Sequence, residues 1–270
     1  MKSQTDKLKK KILLLEEVED RVRCLKDSYK GETAYIIASG PSLNNYKQEY
    51  LQEFLSDKLT MSIKQSWNIL KDQTDFHLLN FCNFAPYDWT DCKSIITWAI
   101  FEQFHPEMIF QNNLACDTMI PIYRNSPATG GGQGPNKMEF SLAERGDWDS
   151  MLLDDDINQP WGPGIMFEMA IPLALYLGCK KIVTVGWDIG DVNSFANGKD
   201  DDTQRVFQEH FYGDEHNKIQ YAKTSMGPRE ITSVAKSTES LYKWLQSRGV
   251  EWEMVSDRNP GYEGIKRITL

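Results

Sequence analysis

An α/β fold with a mostly parallel, Rossmann-like sheet flanked by helices is what this sequence predicts, and three observations predict it. Short apolar, β-rich runs recur, and the first, Thr33-Ala34-Tyr35-Ile36-Ile37-Ala38, lacks polar alternation, as expected of a strand covered on both faces. Stretches of helical periodicity lie between several of them, the alternation that builds parallel sheets. Two of the runs end in glycine-bearing turns, Ser39-Gly40-Pro41-Ser42 and Gly186-Trp187-Asp188, the form taken by ligand-facing loops at strand carboxyl ends.

The elements follow in order. Residues 5–28 read as one amphipathic helix, with Leu8, Ile12, Leu15, Val18, Val22 and Leu25 at three- or four-residue spacing and Lys and Glu opposite. It is expected to pack on the main body; the alternative is a dimerisation element and a homo-oligomer. Tyr29-Lys30-Gly31 breaks it, so the division is an N-terminal helix, 1–30, and a single domain, 31–270. Residues 33–38 are the first strand, and 59–63, 76–80, 94–98, 181–185 and 250–255 are further strands. Between about 125 and 161 stand Gly130-Gly131-Gly132-Gln133-Gly134-Pro135 and Asp154-Asp155-Asp156 with little periodicity. That is a long irregular insertion, either a lid over a site or an insertion without a role. Gly162 and Gly164 open an apolar helix that Gly178 ends, and Pro172 inside it predicts a kink. A second polar excursion, 191–221, carries His210 and His216. Residues 231–247 form a helix stopped at Arg248-Gly249, and 250–255 alternate in the manner of a strand near a sheet edge.

Composition narrows the function. The chain has 270 residues and a net charge of −9, so nucleic acid and anionic membranes would meet a repelling field. No run reaches the length of a membrane span and the first residues do not form a signal peptide, so a cytoplasmic location is expected. Five cysteines without a CxxC pair signal neither a disulfide framework nor a zinc site.

Chemistry concentrates at the two glycine turns. In Ser39-Gly40-Pro41-Ser42, glycine admits close approach, proline cannot extend the strand by donating to it, and serine can cap a helix or meet a phosphate. The turn is neither GxGxxG nor GxxxxGK[ST], which disfavours dinucleotide oxidoreductases and P-loop kinases. Asp188 suits a ligand hydroxyl or amino group, or else simply caps a turn. His77 lies within an apolar strand pattern as a satisfied core residue, and His105-Pro106 reads as a turn. Asp154-Asp155-Asp156 and Asp200-Asp201-Asp202 read as solvated acid runs, with cation binding as the alternative.

The run Tyr35-Ile36-Ile37-Ala38-Ser39-Gly40-Pro41-Ser42-Leu43, the later glycine-opened helix, and the strand ending Gly186-Trp187-Asp188 together resemble the bacterial sialyltransferases of glycosyltransferase family 42. They also resemble the broader DUF115-domain family, with its motility accessory factors and archaeal 6-hydroxymethylpterin pyrophosphokinases. The resemblance implies a Rossmann-like fold of the GT-A-variant kind and a glycosyltransferase that moves a sugar from a CMP-sugar or related nucleotide sugar to an acceptor hydroxyl, on a glycan or another molecule. It implies nucleotide contacts from Ser39, Gly40, Pro41 and Ser42, from Asn68 and Asn80 or Asn83, and from Gly162, Gly164 and Asp188. No cofactor or metal is required on that reading.

One departure stands out. Where the family places its histidine base this chain has Met226-Gly227-Pro228-Arg229, leaving His210 or His216 to deprotonate the acceptor and Tyr212 to stabilise the departing phosphate. Two alternatives stand beside this reading. One is a diphosphotransferase acting on a pterin-like alcohol with Mg-ATP, for which the acid runs would matter. The other is a non-catalytic nucleotide-binding module that engages a partner through the N-terminal helix.

Overall fold

A computed structural model describes residues 2–80, 96–102, 120–124, 146–153, 158–159, 165–188, 206–209, 223–226, 228–256, 259 and 261–270. The strands are β1 (Thr33–Ile37), β2 (Leu59–Ile63), β3 (Phe76–Asn80), β4 (Ile96–Glu102), β5 (Ile120–Arg124), β6 (Asn158–Gln159), β7 (Lys181–Val185), β8 (Val206–Glu209), β9 (Lys223–Met226), β10 (Glu251–Val255) and β11 (Lys266–Arg267). Nine of them form a central sheet in which every neighbouring pair is parallel, in the order β11-β10-β7-β1-β2-β3-β4-β5-β6. A separate antiparallel pair joins β8 to β9.

Side-chain alternation divides the core into two layers. Ala34 and Ile36 of β1 face the same layer as Met61, Phe76, Leu78, Ile182 and Met254, all buried. That layer is closed by α1 (Lys2–Ile12), α2 (Val18–Arg23), α5 (Ile171–Tyr176) and α6 (Pro228–Ser247), whose Leu8, Ile12, Val22, Leu173, Leu241 and Leu245 join the same cluster. Ile37, Val183, Val185 and Val255 point the other way, against Leu51 and Leu55 of α3 (Gln48–Leu55) and Ile69 and Leu70 of α4 (Trp67–Leu70). Each fully buried Ile or Leu contributes about 1.5–3 kcal/mol of hydrophobic stabilisation, so both faces of β1 and β7 are strongly held. Among the described residues no helix is long and apolar enough to cross a membrane.

Several elements differ from the sequence expectation. The expected helix over 5–28 is two helices broken at 13–17, with Leu13 and Leu14 exposed at the break. Turning there lets Leu8 and Ile12 on one arm and Val22 and Leu25 on the other enter the same core. Thr5 ties α1 down: its buried hydroxyl bonds Tyr29 OH at 2.7 Å and donates to Oδ1 of buried Asp75, whose Oδ2 accepts from Thr60 N at 2.9 Å. The Pro172 helix is not merely kinked. Met166–Ala170 is a π-helical turn running into α5, and Ile171 N donates five residues back to Met166 O. Proline cannot donate to the carbonyl four residues before it and its ring crowds that carbonyl, so the widened turn absorbs the misfit.

The strand expected over 94–98 is met by β4, Ile96–Glu102, residues 94 and 95 lying outside the described residues, and β10 lies next to the edge strand β11 as the alternation suggested. β6, two polar residues long, falls inside the expected irregular insertion, most of which lies outside the described residues. Cys24 and Cys179 are free thiols, Cys179 buried and pushed up to about 12 by that burial; Cys82, Cys92 and Cys116 lie outside the described residues.

Candidate functional site

The chain lays down β1 through β6 outward in one direction, then returns to place β7, β10 and β11 on the other side of β1. The order reverses between β1 and β7, and open α/β sheets bind ligands in the crevice outside the strand carboxyl ends at such a reversal. Here those ends carry the two glycine turns.

They are joined directly to each other. Beyond the last strand residues, Ala38 N donates to Val185 O at 2.8 Å and Gly40 N donates to Gly186 O at 2.8 Å. A Cβ on Gly40 would fall against Gly186 O and lie 2.5 Å from Cγ of Asp188, so only glycine fits. Gly186, at φ +67, would direct a Cβ to within 2.9 Å of Ala38 O and 2.7 Å of Cγ of Leu43. Pro41 then opens a 3₁₀ turn, Pro41–Asn45, whose amino end is met by Asp188. Ser42 N donates to Asp188 Oδ2 at 2.7 Å, Ser42 Oγ to Oδ1 at 2.7 Å, and Ser256 Oγ, just past β10, to Oδ1 at 2.5 Å. Asp188 therefore caps the turn after β1 rather than the one that follows it in sequence, and its carboxylate is an anionic acceptor for three protein donors.

Aromatic packing fixes the β7 tip. Trp187 is buried, stacked on Trp252 at 5.7 Å and edge-on to Phe167 at 5.4 Å. Its carbonyl accepts from Asn259 Nδ2 at 2.8 Å.

On the other side of β1 the β2 tip is knitted in as well. Ser39 Oγ donates to Ile63 O at 3.1 Å, and Ser66 Oγ to Ile37 O and Ile63 O at 2.8 and 2.9 Å. Between them Lys64 adopts φ +51, a left-handed conformation uncommon for a lysine. His77 holds it: Nε2 lies 3.0 Å from Lys64 O, and since a carbonyl only accepts, this nitrogen carries the proton. Full burial pulls the His77 pKa down to about 3, so the ring is neutral, stacked 4.9 Å from Trp67.

The structure thus gathers Ser39, Gly40, Pro41, Ser42 and Asp188 at one point of the carboxyl edge. Asn68 is half-buried on α4, just beyond the β2 tip, and Asn80 ends β3 on the same edge two strands from β1. His77 is a core residue, as its sequence context suggested. Asn83, Gly162, Gly164, His210, Tyr212 and His216 lie outside the described residues, as do His105 and both acid triplets; the chain on either side of 210–222 is β8 and β9. Among the described residues no group of three His, Cys, Asp or Glu side chains could hold a metal ion. Lys64, Ser256 and Asn259 escaped the sequence reading. Ser256 could have been found, because the residue after a final parallel strand must stand on the same edge; the Lys64 backbone leaves no trace in the sequence.

The chain matches no protein-family model and no curated protein. Its fold is similar to that of a solved structure, the MAf glycosyltransferase from Magnetospirillum magneticum AMB-1, with a TM-score of 0.50 and 14% identity. The match covers 90% of this chain and 35% of that one, so the chain spans about a third of that protein's length.

Proposed function

We propose that the chain is a glycosyltransferase that takes a sugar from a nucleotide sugar, CMP-linked by resemblance, to an acceptor hydroxyl. The observation that carries this reading is the clamp at the β1/β7 reversal, where the two blocks on which the resemblance rests meet as Gly40 against Gly186 and Ser42 on Asp188. The likeness in fold to a protein named as a glycosyltransferase supports it. The clamp uses the Gly40 and Ser42 amides internally, so the turn serves as a fixed wall for the donor. By the resemblance, Asn68 and Asn80 or Asn83 supply amides to the base or ribose.

In the transfer, His210 or His216 accepts the proton of the acceptor hydroxyl and the freed oxygen attacks the anomeric carbon. The bond from that carbon to the phosphate oxygen breaks, and the electron pair leaves with the nucleoside monophosphate. Tyr212 stabilises the developing charge.

The test is a thermal-unfolding panel with CMP, CDP, UDP, GDP and ATP, each with and without Mg²⁺. A ligand at 100 times its Kd adds about 2.7 kcal/mol, so CMP or CDP should raise Tm without metal. Stabilisation by Mg-ATP alone would replace this reading with a diphosphotransferase, and no response to any nucleotide would overturn nucleotide binding at the crevice and leave only an interaction module. Full transfer by both His210→Ala and His216→Ala would remove the base assignment.

A further inference from the structure

Opposite the crevice, beside the starts of β1, β7 and β10, lies an open cavity of about 340 Å³, within the size range of small-molecule sites. Its apolar lining comes from Leu153, Pro172, Leu175, Tyr176 and Val250, all but half-buried Leu175 largely hidden from solvent. Among the described residues that line it, four cations, Lys26, Lys30, Lys180 and Arg248, stand against one acid, Asp27, in a chain whose net charge is −9. Arg248 is held by Asp149 and lies 4.6 Å over the Trp244 ring, while Lys26 lies 5.8 Å over the Tyr176 ring. Lys30 and Lys180 are exposed and have no ion pair among the described residues.

The walls are built from paired main chain. Asp27 N donates to Tyr176 O at 2.9 Å, Tyr29 N to Leu177 O at 2.8 Å and Gly31 N to Gly178 O at 2.9 Å. These bonds clamp the segment after α2 to the end of α5. They also weigh against the simplest account of the lysines, that they neutralise helix carboxyl termini. The last carbonyls of α5 already have amide donors, and a helix dipole requires neither a cavity nor an apolar floor.

We propose that this cavity binds a small amphiphilic anion, an alkyl or acyl body carrying a phosphate or carboxylate, with the body against Leu153, Leu175 and Tyr176 and the head group at Lys30 and Lys180. An apolar body alone would leave the lysines unused, and a bare inorganic anion would leave the floor wet. The site is separate from the crevice, and the inference is independent of the transferase reading.

The experiment is isothermal titration of the full chain with octyl phosphate and with octanoate, beside 1-octanol and inorganic phosphate. One of the two amphiphilic anions should bind saturably at one per chain, and the tighter of them identifies the head group. The double variant Lys30→Glu/Lys180→Glu should bind it about tenfold or more weakly, as loss of charge-assisted contacts requires. Its Tm without ligand should match the parent, since both side chains are exposed; if it does not, Lys30→Gln/Lys180→Gln takes its place with the same expectation. Absence of saturable binding by both anions would overturn the proposal. So would unchanged affinity in the charge variants, or inorganic phosphate or 1-octanol binding as tightly as the amphiphiles.

Discussion

At the carboxyl edge of the sheet the loops after β1 and β7 touch main chain to main chain through Gly40 and Gly186, whereas at the amino edge the segment after α2 meets α5 beside an open, lysine-rimmed cavity. The same central strands run between both edges. One end is closed by contacts that admit no Cβ and by a carboxylate with three protein donors; the other joins helices to strands through backbone bonds and buried hydroxyls and leaves room beside them. Rigidity at the first edge is a property of two glycines and one aspartate. At the second it is spread over a longer segment.

The sharpest test of that contrast is Gly40→Ala. Its methyl has no direction in which to relax, because the neighbours are a backbone oxygen and a capping carboxylate, so unfolding free energy should drop by about 3 kcal/mol in urea titrations. The control is Gly249→Ala: unlike Gly40, at φ −74, it sits at positive φ (+67), but it has nothing within 4 Å of the added methyl and should lose only about 1 kcal/mol. Equal losses would mean that close approach at the carboxyl edge is not what holds the loops.

Two changes of about 2 kcal/mol probe the interior on either side. Thr5→Val leaves Tyr29 OH and Asp75 without their buried hydroxyl partner and should cost about 2 kcal/mol, measured in the same titration. A negligible loss would show that α1 is held by Leu8 and Ile12 alone. Under the carboxyl edge, His77 stays neutral down to about pH 3 when folded and titrates near 6.5 when unfolded. Between those values the unfolded state holds the extra proton, so stability falls as pH drops below 6.5, by about 2 kcal/mol at pH 5. His77→Gln keeps a donor toward Lys64 O and should remove that part of the slope; an unchanged pH profile would place the titration elsewhere.

The smallest expected effect is that of Ser256→Ala. It removes one of three donors to Asp188 and should cost about 1 kcal/mol without changing the urea m-value. A loss as large as that of Gly40→Ala would shift the weight of the clamp from the glycines to the carboxylate.

Periodicity made the inner strands legible. Runs 59–63, 76–80 and 181–185 coincide with β2, β3 and β7 because each is a short run rich in apolar residues, of the length a strand needs. β6 and β11, two residues each, carry too few side chains for any period to register. The break between α1 and α2 was hidden because Leu15 and Val18 continue the helical spacing across it, and only the demand that both arms reach one core imposes the turn. At the site, the glycine turns were visible as motifs, yet the sequence pointed Gly40 and Asp188 at a ligand while the fold points them at each other. The bond from Ser42 to Asp188 beside it joins residues 146 positions apart, a distance over which local pattern carries no information.

The same separation has a consequence for synthesis. β1 leaves the ribosome before β7, its partner on one side, which follows roughly 10–30 s later at ordinary elongation rates. Throughout that interval one hydrogen-bonding edge of β1 waits with its donors and acceptors unpaired, the condition that invites association between nascent chains. The part built from β1 to β6 must therefore persist as an incomplete sheet until Lys181–Val185 arrives, which makes this chain a candidate client for chaperones that shield strand edges during translation.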